Sequence, residues 1–322
     1  MIKEKPYFVV LQKTKLNLID FSWVSKLWGS DDCNFIQKPK IGKSGGQLLI
    51  WDENLFEAET VDDIECGIGI RGTWKNLGCK FNLMNIYGPQ DDVKKQKLWD
   101  SVSRLVSGGD EAWVLCEDFN EVRDHSERFN CEFIDYRAKW FNEFIENNRL
   151  IDIPMGGRNF TRVSDDGLKY SKLDLFLTND KFISIWRDLT AMVLDRHLSD
   201  HCPIILKDDE RNFGPKPFKV FDIWFSEDDV VEVISKAWDT SVVGGSRKDS
   251  LFKNKLKNVK MDLKDWSKNK FHHIDGEIEQ HMSIANGLEQ QAEVRVLNED
   301  ELKLWREARK KWFEKENIKS NM

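Results

Sequence analysis

AWVLCEDFNE (112–121) is the stretch that decides how this chain is read: an apolar run of strand length stops abruptly at a polar cluster. A strand ending there delivers Asp118 and Asn120 to one side, because side chains two apart in an extended chain share a face. A carboxylate so placed orients or deprotonates water, and a carboxamide beside it holds that water or a phosphate oxygen. Taken alone, the segment reads at least as well as a simple strand-end turn, since Asp and Asn are common turn residues.

Two more segments put polar groups just beyond or before a strand, where loops on a rigid scaffold carry chemistry. In RHLSDHCPIIL (196–206), Asp200 and His201 immediately precede an apolar strand. A neutral histidine serves as a general base, and a neighbouring aspartate ligates a hard cation or holds the ring. His197 and His201 are four apart, the spacing of a helical metal pair, but Ser-Asp-His before a strand argues against a helix. In NIYGPQ (85–90), a strand carries Tyr87 into a Gly-Pro turn, where packing is the ordinary use of a tyrosine.

Outward from these segments, short β-rich runs alternate with turns. YFVVLQ (7–12), QLLIW (47–51), IECGIGIRG (64–72), CKFNLMNIY (79–87), KLDLFL (172–177) and CPIILK (202–207) have strand length and composition. The apolar residues of 93–106 and 136–148 fall on helical stripes, and SDDG (164–167) marks a hairpin turn. GIGIRG (67–72) fits a dinucleotide fingerprint only superficially, because no helix follows it to meet a pyrophosphate. Strands with interposed helices but no regular βαβ rhythm predict a mixed α/β (α+β) sandwich, two packed sheets with helices outside.

The pattern changes after NFGPKPF (212–218). FKVFDIW has the composition of one last strand, and from Ser226 onward the period is helical. Phe252, Leu256, Val259, Leu263 and Trp266 share a face, as do Trp305, Ala308 and Trp312. Asn286-Gly287 is the expected interruption between them. Segment 253–270 carries seven lysines against two aspartates, by default a solvated face, and His272-His273 reads as a solvated pair. The domains are therefore expected at 1–225 and 226–322.

Composition sets the broad class. With 40% hydrophobic and 33% charged residues the chain is that of a soluble globular protein, and no run of eighteen apolar residues suggests a membrane span. Six cysteines without a CxxC pair fit reduced thiols in a nuclear or cytoplasmic protein. A net charge of −7 does not suggest a histone-like binder, and it does not exclude an enzyme that grips a few phosphates locally.

In order along the chain, the YGP strand end, the DFN strand end, the KLD strand and the SDH-P strand resemble the endonuclease/exonuclease/phosphatase superfamily. SGGQLLIWDENLF (44–56), MNIYGPQDDVKKQKLWD (84–100), EDFNEVRDHSER (117–128) and RNFTRVSDDGLKYSKLDLFL (158–177) resemble the endonuclease domain of plant LINE-type (non-LTR) retrotransposons. The likeness spans residues 7 to about 225. It continues more loosely into REARKKWFEKENIKS, which looks like the run leading to a reverse transcriptase, itself absent from this chain. The resemblance implies a four-layered sandwich followed by a helical tail, and Mg²⁺-dependent nicking of DNA. It implies that Asp118 positions or activates water with Asn120 beside it, that His201 faces the phosphate oriented by Asp174, and that Asp200 helps hold Mg²⁺. Tyr87, Thr161 and Arg162 would contact substrate.

Two departures from the family pattern bear on activity. The family's LQET motif carries the principal metal-binding glutamate, and here the segment is LQKT, with Lys13 in that place. The exchange changes the charge by two and replaces an oxygen ligand with an ammonium that coordinates no metal. Family members also begin with another strand ending in asparagine, so an N-terminally truncated domain lacking an inner strand is expected. A smaller difference is Glu117 in place of the family's glycine before DFN. The functions that follow are an impaired Mg²⁺-dependent endonuclease, a non-catalytic nucleic-acid-binding remnant, or a phosphatase of the same superfamily.

Overall fold

Strand Ala112–Asp118 shows how the sandwich is built, because its alternate residues are apolar on both faces. Ala112, Val114 and Cys116 enter one core, while Trp113 and Leu115 enter another. A strand buried on both faces belongs in the middle of a sheet that is covered on both sides. The computed structural model describes residues 6–41, 44–107, 111–197, 199–208, 224, 227, 229–239 and 248–321. In it this strand lies inside a six-stranded sheet ordered Phe56–Ile64, Gly67–Trp74, Cys79–Ile86, Ala112–Asp118, Asp174–Asn179, Leu150–Asp152. Its pairing with Cys79–Ile86 is parallel, joined by helix Asp92–Val106, and the other pairings are antiparallel.

One face of the sheet is covered by helices Asp92–Val106 and Asp135–Asn147, whose Leu98, Trp99, Val102, Phe141, Phe144 and Ile145 form the cover. Trp99 stacks on Phe144 with ring centroids 4.7 Å apart. The opposite face meets a second β layer made of two three-stranded sheets. One is ordered Phe8–Gln12, Ser44–Asp52, Cys33–Ile41, and the other Met155–Gly157, Leu189–Val193, Ile204–Asp208. Both pack on the same core through Phe8, Val10, Leu49, Trp51, Ala191, Ile204 and Leu206. Helix Phe21–Trp28 closes the outer side with Val24 against Ile19, Leu48 and Ile50. The four-layered α/β sandwich expected from the sequence is present.

Strands Phe8–Gln12 and Ile204–Asp208 each pair on one side only among the described residues, and every residue in both is half-buried. Among the strands that escape the hydrophobic pattern, two do so because they are sheet edges. Phe56–Ile64 carries Glu57, Glu59, Asp62 and Asp63, and Cys33–Ile41 carries Pro39, both permitted where one side of the ladder faces solvent.

The chain divides into two compact units, Met1–Asn212 and Phe213–Met322. In the second, helices Val230–Asp239, Lys248–Ala292 and Glu299–Asn321 carry the expected apolar faces. Val259, Leu263 and Trp266 pack on Trp224, Val230, Val233 and Ile234, and Trp305, Ala308 and Trp312 are buried. Phe252 and Leu256, expected on the same face, are largely exposed. Asn286-Gly287 does not interrupt the helix. A helical glycine costs about 1 kcal/mol, and the burial of Ala285, Leu288 and Ala292 around it outweighs that. The strand read in FKVFDIW, the NFGPKPF boundary and the side chains of His272-His273 lie outside the described residues. No helix among the described residues is long and apolar enough to cross a membrane.

Candidate active site

Register brings the first two carboxylates together. Asp174 sits directly opposite Asp118 in the antiparallel pair, so both point from one end of the sheet. His201 arrives from the other β layer, where it bridges to Arg162 in the hairpin containing Arg162–Val163 and Tyr170–Ser171. Amide Cys202 donates to Thr161 carbonyl at 2.6 Å and amide Val163 to Asp200 carbonyl at 2.9 Å, which fixes the Ser-Asp-His segment. His201 Nδ1 then lies 2.8 Å from Asp174 Oδ2, and Nε2 lies 3.7 Å from Asp118 Oδ2.

Lys13 occupies the space these groups enclose. Its ammonium is 3.2 Å from His201 Nε2, 3.5 Å from Asp118 Oδ2 and 5.5 Å from the centre of the Tyr87 ring. It is placed there by its neighbour: Gln12 donates to Asn85 Oδ1 at 2.7 Å and to Ile86 carbonyl at 2.5 Å, tying the end of one β layer to the other. Asn85 is fully buried and donates back to Leu11 carbonyl, while Gln47 donates to Asn85 carbonyl. This amide network forms the floor of the site. Sequence reading passed over it, although a glutamine and an asparagine at the ends of apolar strands were visible signals.

The Asp118–Asn120 loop is clamped from two directions. Amide Gly88 of the Tyr-Gly-Pro turn donates to Asp118 carbonyl at 2.6 Å, and a Cβ at Gly88 would fall 2.0 Å from Phe119 carbonyl oxygen. Only glycine allows that approach. Asn120 Nδ2 donates to Gly88 carbonyl at 2.7 Å and Asn120 Oδ1 accepts from Gln90. Its carboxamide is thus engaged in holding the loop beside Asp118. From below, the buried Lys95 ammonium donates to Asn120 carbonyl at 2.8 Å and to the buried Glu121 carboxylate. Lys95 is a further residue missed in the sequence.

The remaining candidates divide. Arg162 Nε is 3.4 Å from Asp200 Oδ2, and both lie beside the cluster, with Asp200 Oδ2 3.9 Å from His201 Nε2. Thr161 needs correction as a substrate contact. It is fully buried, and its hydroxyl accepts from the amides of Leu173 and Asp174, so it holds Asp174 in place instead.

Burial and the Asp174 charge push the Asp118 carboxyl up to about 6, with His201 and Lys13 pulling the other way. For His201, burial opposes the imidazolium, yet the hydrogen bond and charge of Asp174, with Asp118, carry its pKa above the ordinary value. Asp200 is held below the usual range although burial opposes it, because His201, Lys13 and Arg162 favour its charge. Burial, then Asp174 and Asp118, drive Glu117 well above the carboxylate range. Glu117 also has φ 87°, and Lys13 and Asn120 share its left-handed conformation at φ 52° and 50°. Non-glycine residues held there cost of order 1 kcal/mol or more and gather where a site over-determines them. Glu117→Gly is therefore expected to raise stability by about 1–2 kcal/mol, read as a higher urea midpoint at unchanged slope. An unchanged or lower midpoint would show that the glutamate is neither strained nor penalised by burial.

Ligand atoms of Asp118, Asp174 and His201 all lie within 4.8 Å of one another, a grouping suited in type to a metal ion. The arrangement does not fit a hard divalent cation as it stands. Mg²⁺ asks for about six oxygens near 2.1 Å. Here Asp174 Oδ2 is engaged with His201, Asp118 Oδ1 accepts from amide Asn120, and Asp118 Oδ2 faces the ammonium. Glu121, a possible substitute ligand, is held by Lys95 and Arg128 in the interior.

Residues 81–205 match the family model described as endonuclease-reverse transcriptase. AP endonuclease LMAP from Leishmania major superposes with a TM-score of 0.50 at 15% identity, over 62% of this chain and 78% of that one. The endonuclease domain of TRAS1, a telomere-specific non-LTR retrotransposon, gives 0.46 at 12% identity, over 64% of this chain and all of that one. Curated proteins include no match. The first unit has the fold of the endonuclease/exonuclease/phosphatase superfamily. Within that class, residues 81–205 carry the sequence pattern of its endonuclease-reverse transcriptase family.

Proposed function

We propose that the chain is a retrotransposon-derived endonuclease domain of the LINE type that engages DNA phosphodiesters with Lys13 standing where a Mg²⁺ ligand is expected. Hydrolysis is impaired as a result. The observation that carries this reading is the ammonium lodged between Asp118 and His201. An ammonium only donates, so His201 Nε2 accepts from it and the ring keeps its proton on Nδ1, towards Asp174. An incoming phosphate oxyanion draws Lys13 to itself and frees Nε2 to take a proton, which Asp174 and Asp118 already favour. Binding is retained by that route. What is lost is the acidified water and charge neutralisation that a metal supplies.

The test is supercoiled plasmid with Mg²⁺ or Mn²⁺, alongside Asp118→Ala prepared identically. The expected result is DNA binding by both, and nicking by neither above background. Metal-dependent nicking by the natural chain that vanishes in Asp118→Ala would establish an active endonuclease and overturn the impairment. Absence of DNA binding from a folded sample would overturn the nucleic-acid reading itself.

A further inference from the structure

The helix Lys248–Ala292 carries a charge pattern that packing does not require. Lys253, Lys257, Lys260, Lys264 and Lys268 step by four, three, four and four, so they line one face, and all five are exposed. At about 100° per residue, Asp262 lies roughly 160° from Lys264, while Asp265, about 100° from Lys264, comes within about 60° of Lys268 and is the one acid between Lys253 and Lys268 that borders the stripe. Lysines at such spacings repel one another, whereas acids placed between them would convert repulsion to attraction. Between Lys253 and Lys268 the face instead carries five lysines against the single neighbouring acid Asp265, in a chain whose net charge is −7.

We infer that this stripe is a docking face for the backbone of double-stranded nucleic acid. The inference rests on the proposed nucleic-acid function for the choice of a phosphodiester partner over an acidic protein. The stripe lies on one continuous helix and spans about 22 Å, at about 1.5 Å rise per residue. Duplex backbone matches it: each strand advances about 3.4 Å per phosphate along a stiff axis. A single strand would have to be ordered first. A membrane surface is disfavoured because an interfacial helix must immerse its apolar face. Here Val259, Leu263 and Trp266 are engaged with Trp224, Val230, Val233 and Ile234.

The test compares two triple variants of the full chain with equal change in charge. Lys257→Gln, Lys264→Gln and Lys268→Gln remove stripe charges, while Lys303→Gln, Lys310→Gln and Lys311→Gln remove exposed charges from the following helix. Glutamine keeps nearly the helix propensity of lysine, so circular dichroism should be unchanged in both. Binding to a duplex of about 20 base pairs, to the single strand and to anionic vesicles is measured over a salt series of about 50–300 mM. The stripe variant is expected to lose duplex affinity on the order of tenfold and to flatten the log affinity against log salt slope by about 2 to 3. The control should stay within about twofold of the natural chain. Equal losses in the two variants, an unchanged slope, or a loss confined to single strand or vesicles would each overturn the inference. Plasmid nicking and binding by Lys13 variants report on the active site separately, so failure of the stripe leaves that reading intact.

Discussion

Lys13→Glu should convert a protein indifferent to divalent cations into one whose stability depends on them. Two unit charges about 4 Å apart interact by about 4 kcal/mol at an effective dielectric near 20. The Lys13 side chain is about one-third exposed, so solvent screens part of that. Replacing attraction to Asp118 by repulsion should then lower metal-free stability by about 2–4 kcal/mol. Lys13 now holds the Asp118 carboxyl down, and its loss lets that carboxyl rise above its present value of about 6. A cation binding the new carboxylate pair restores stability by mass action, about 2.7 kcal/mol at a hundredfold excess over Kd. Thermal unfolding with and without Mg²⁺ or Mn²⁺ checks this. The variant should melt lower than the natural chain without metal and recover with it, while the natural chain does not move. An equal metal shift in both proteins would mean Lys13 does not keep the cation out. No shift in either would mean the remaining ligands are insufficient even with the carboxylate in place.

The elements that were legible in the sequence are those whose burial is two-sided or whose stripe is long. Ala112–Asp118 announces itself because both of its faces are apolar, and Trp305, Ala308 and Trp312 because three large or small residues recur at one helical spacing. The edge strand Phe56–Ile64 was illegible for the opposite reason: it carries four acids, Glu57, Glu59 and Asp63 exposed and Asp62 buried against Arg71, and propensity is read mainly from burial. In the site, Asp118 and His201 stood out through their places beside strand ends, and Asp174 through the family resemblance alone. That they meet is a matter of register across two β layers, which local pattern does not contain. Asn120 was read as a holder of water or a phosphate oxygen and Thr161 as a substrate contact, yet one side chain is taken up by Gly88 and Gln90 and the other by backbone amides. Hydrogen-bond partners distant in sequence are what single-chain periodicity leaves out. Glu117 is the intermediate case. Its departure from the family glycine was visible, and the positive φ that makes it costly was not.

Lys95→Met should be among the most destabilising single changes in the first unit, despite replacing a charged residue by an apolar one on an apolar helix face. Lys95 shares the stripe of Leu98, Trp99 and Val102, and lysine is seldom buried without a partner. Its ammonium serves Glu121 carboxylate and Asn120 carbonyl together, and both charged side chains are about 4% or less exposed. Removing one member of such a pair leaves the other buried and uncompensated, a loss of about 3–5 kcal/mol. Arg128, 3.8 Å from Glu121, recovers only a little of that. Neutralising the stranded acid should reverse part of the damage: Lys95→Met with Glu121→Gln is expected to be more stable than Lys95→Met alone by about 1–3 kcal/mol. Urea unfolding of the natural chain, both single variants and the double variant closes the cycle. Additive effects would show that Lys95 and Glu121 do not act as a pair. A strong coupling, accompanied by weaker DNA binding in Lys95→Met, would place the pair beneath the Asp118–Asn120 loop as its support, since the ammonium that neutralises Glu121 also holds the carbonyl of Asn120.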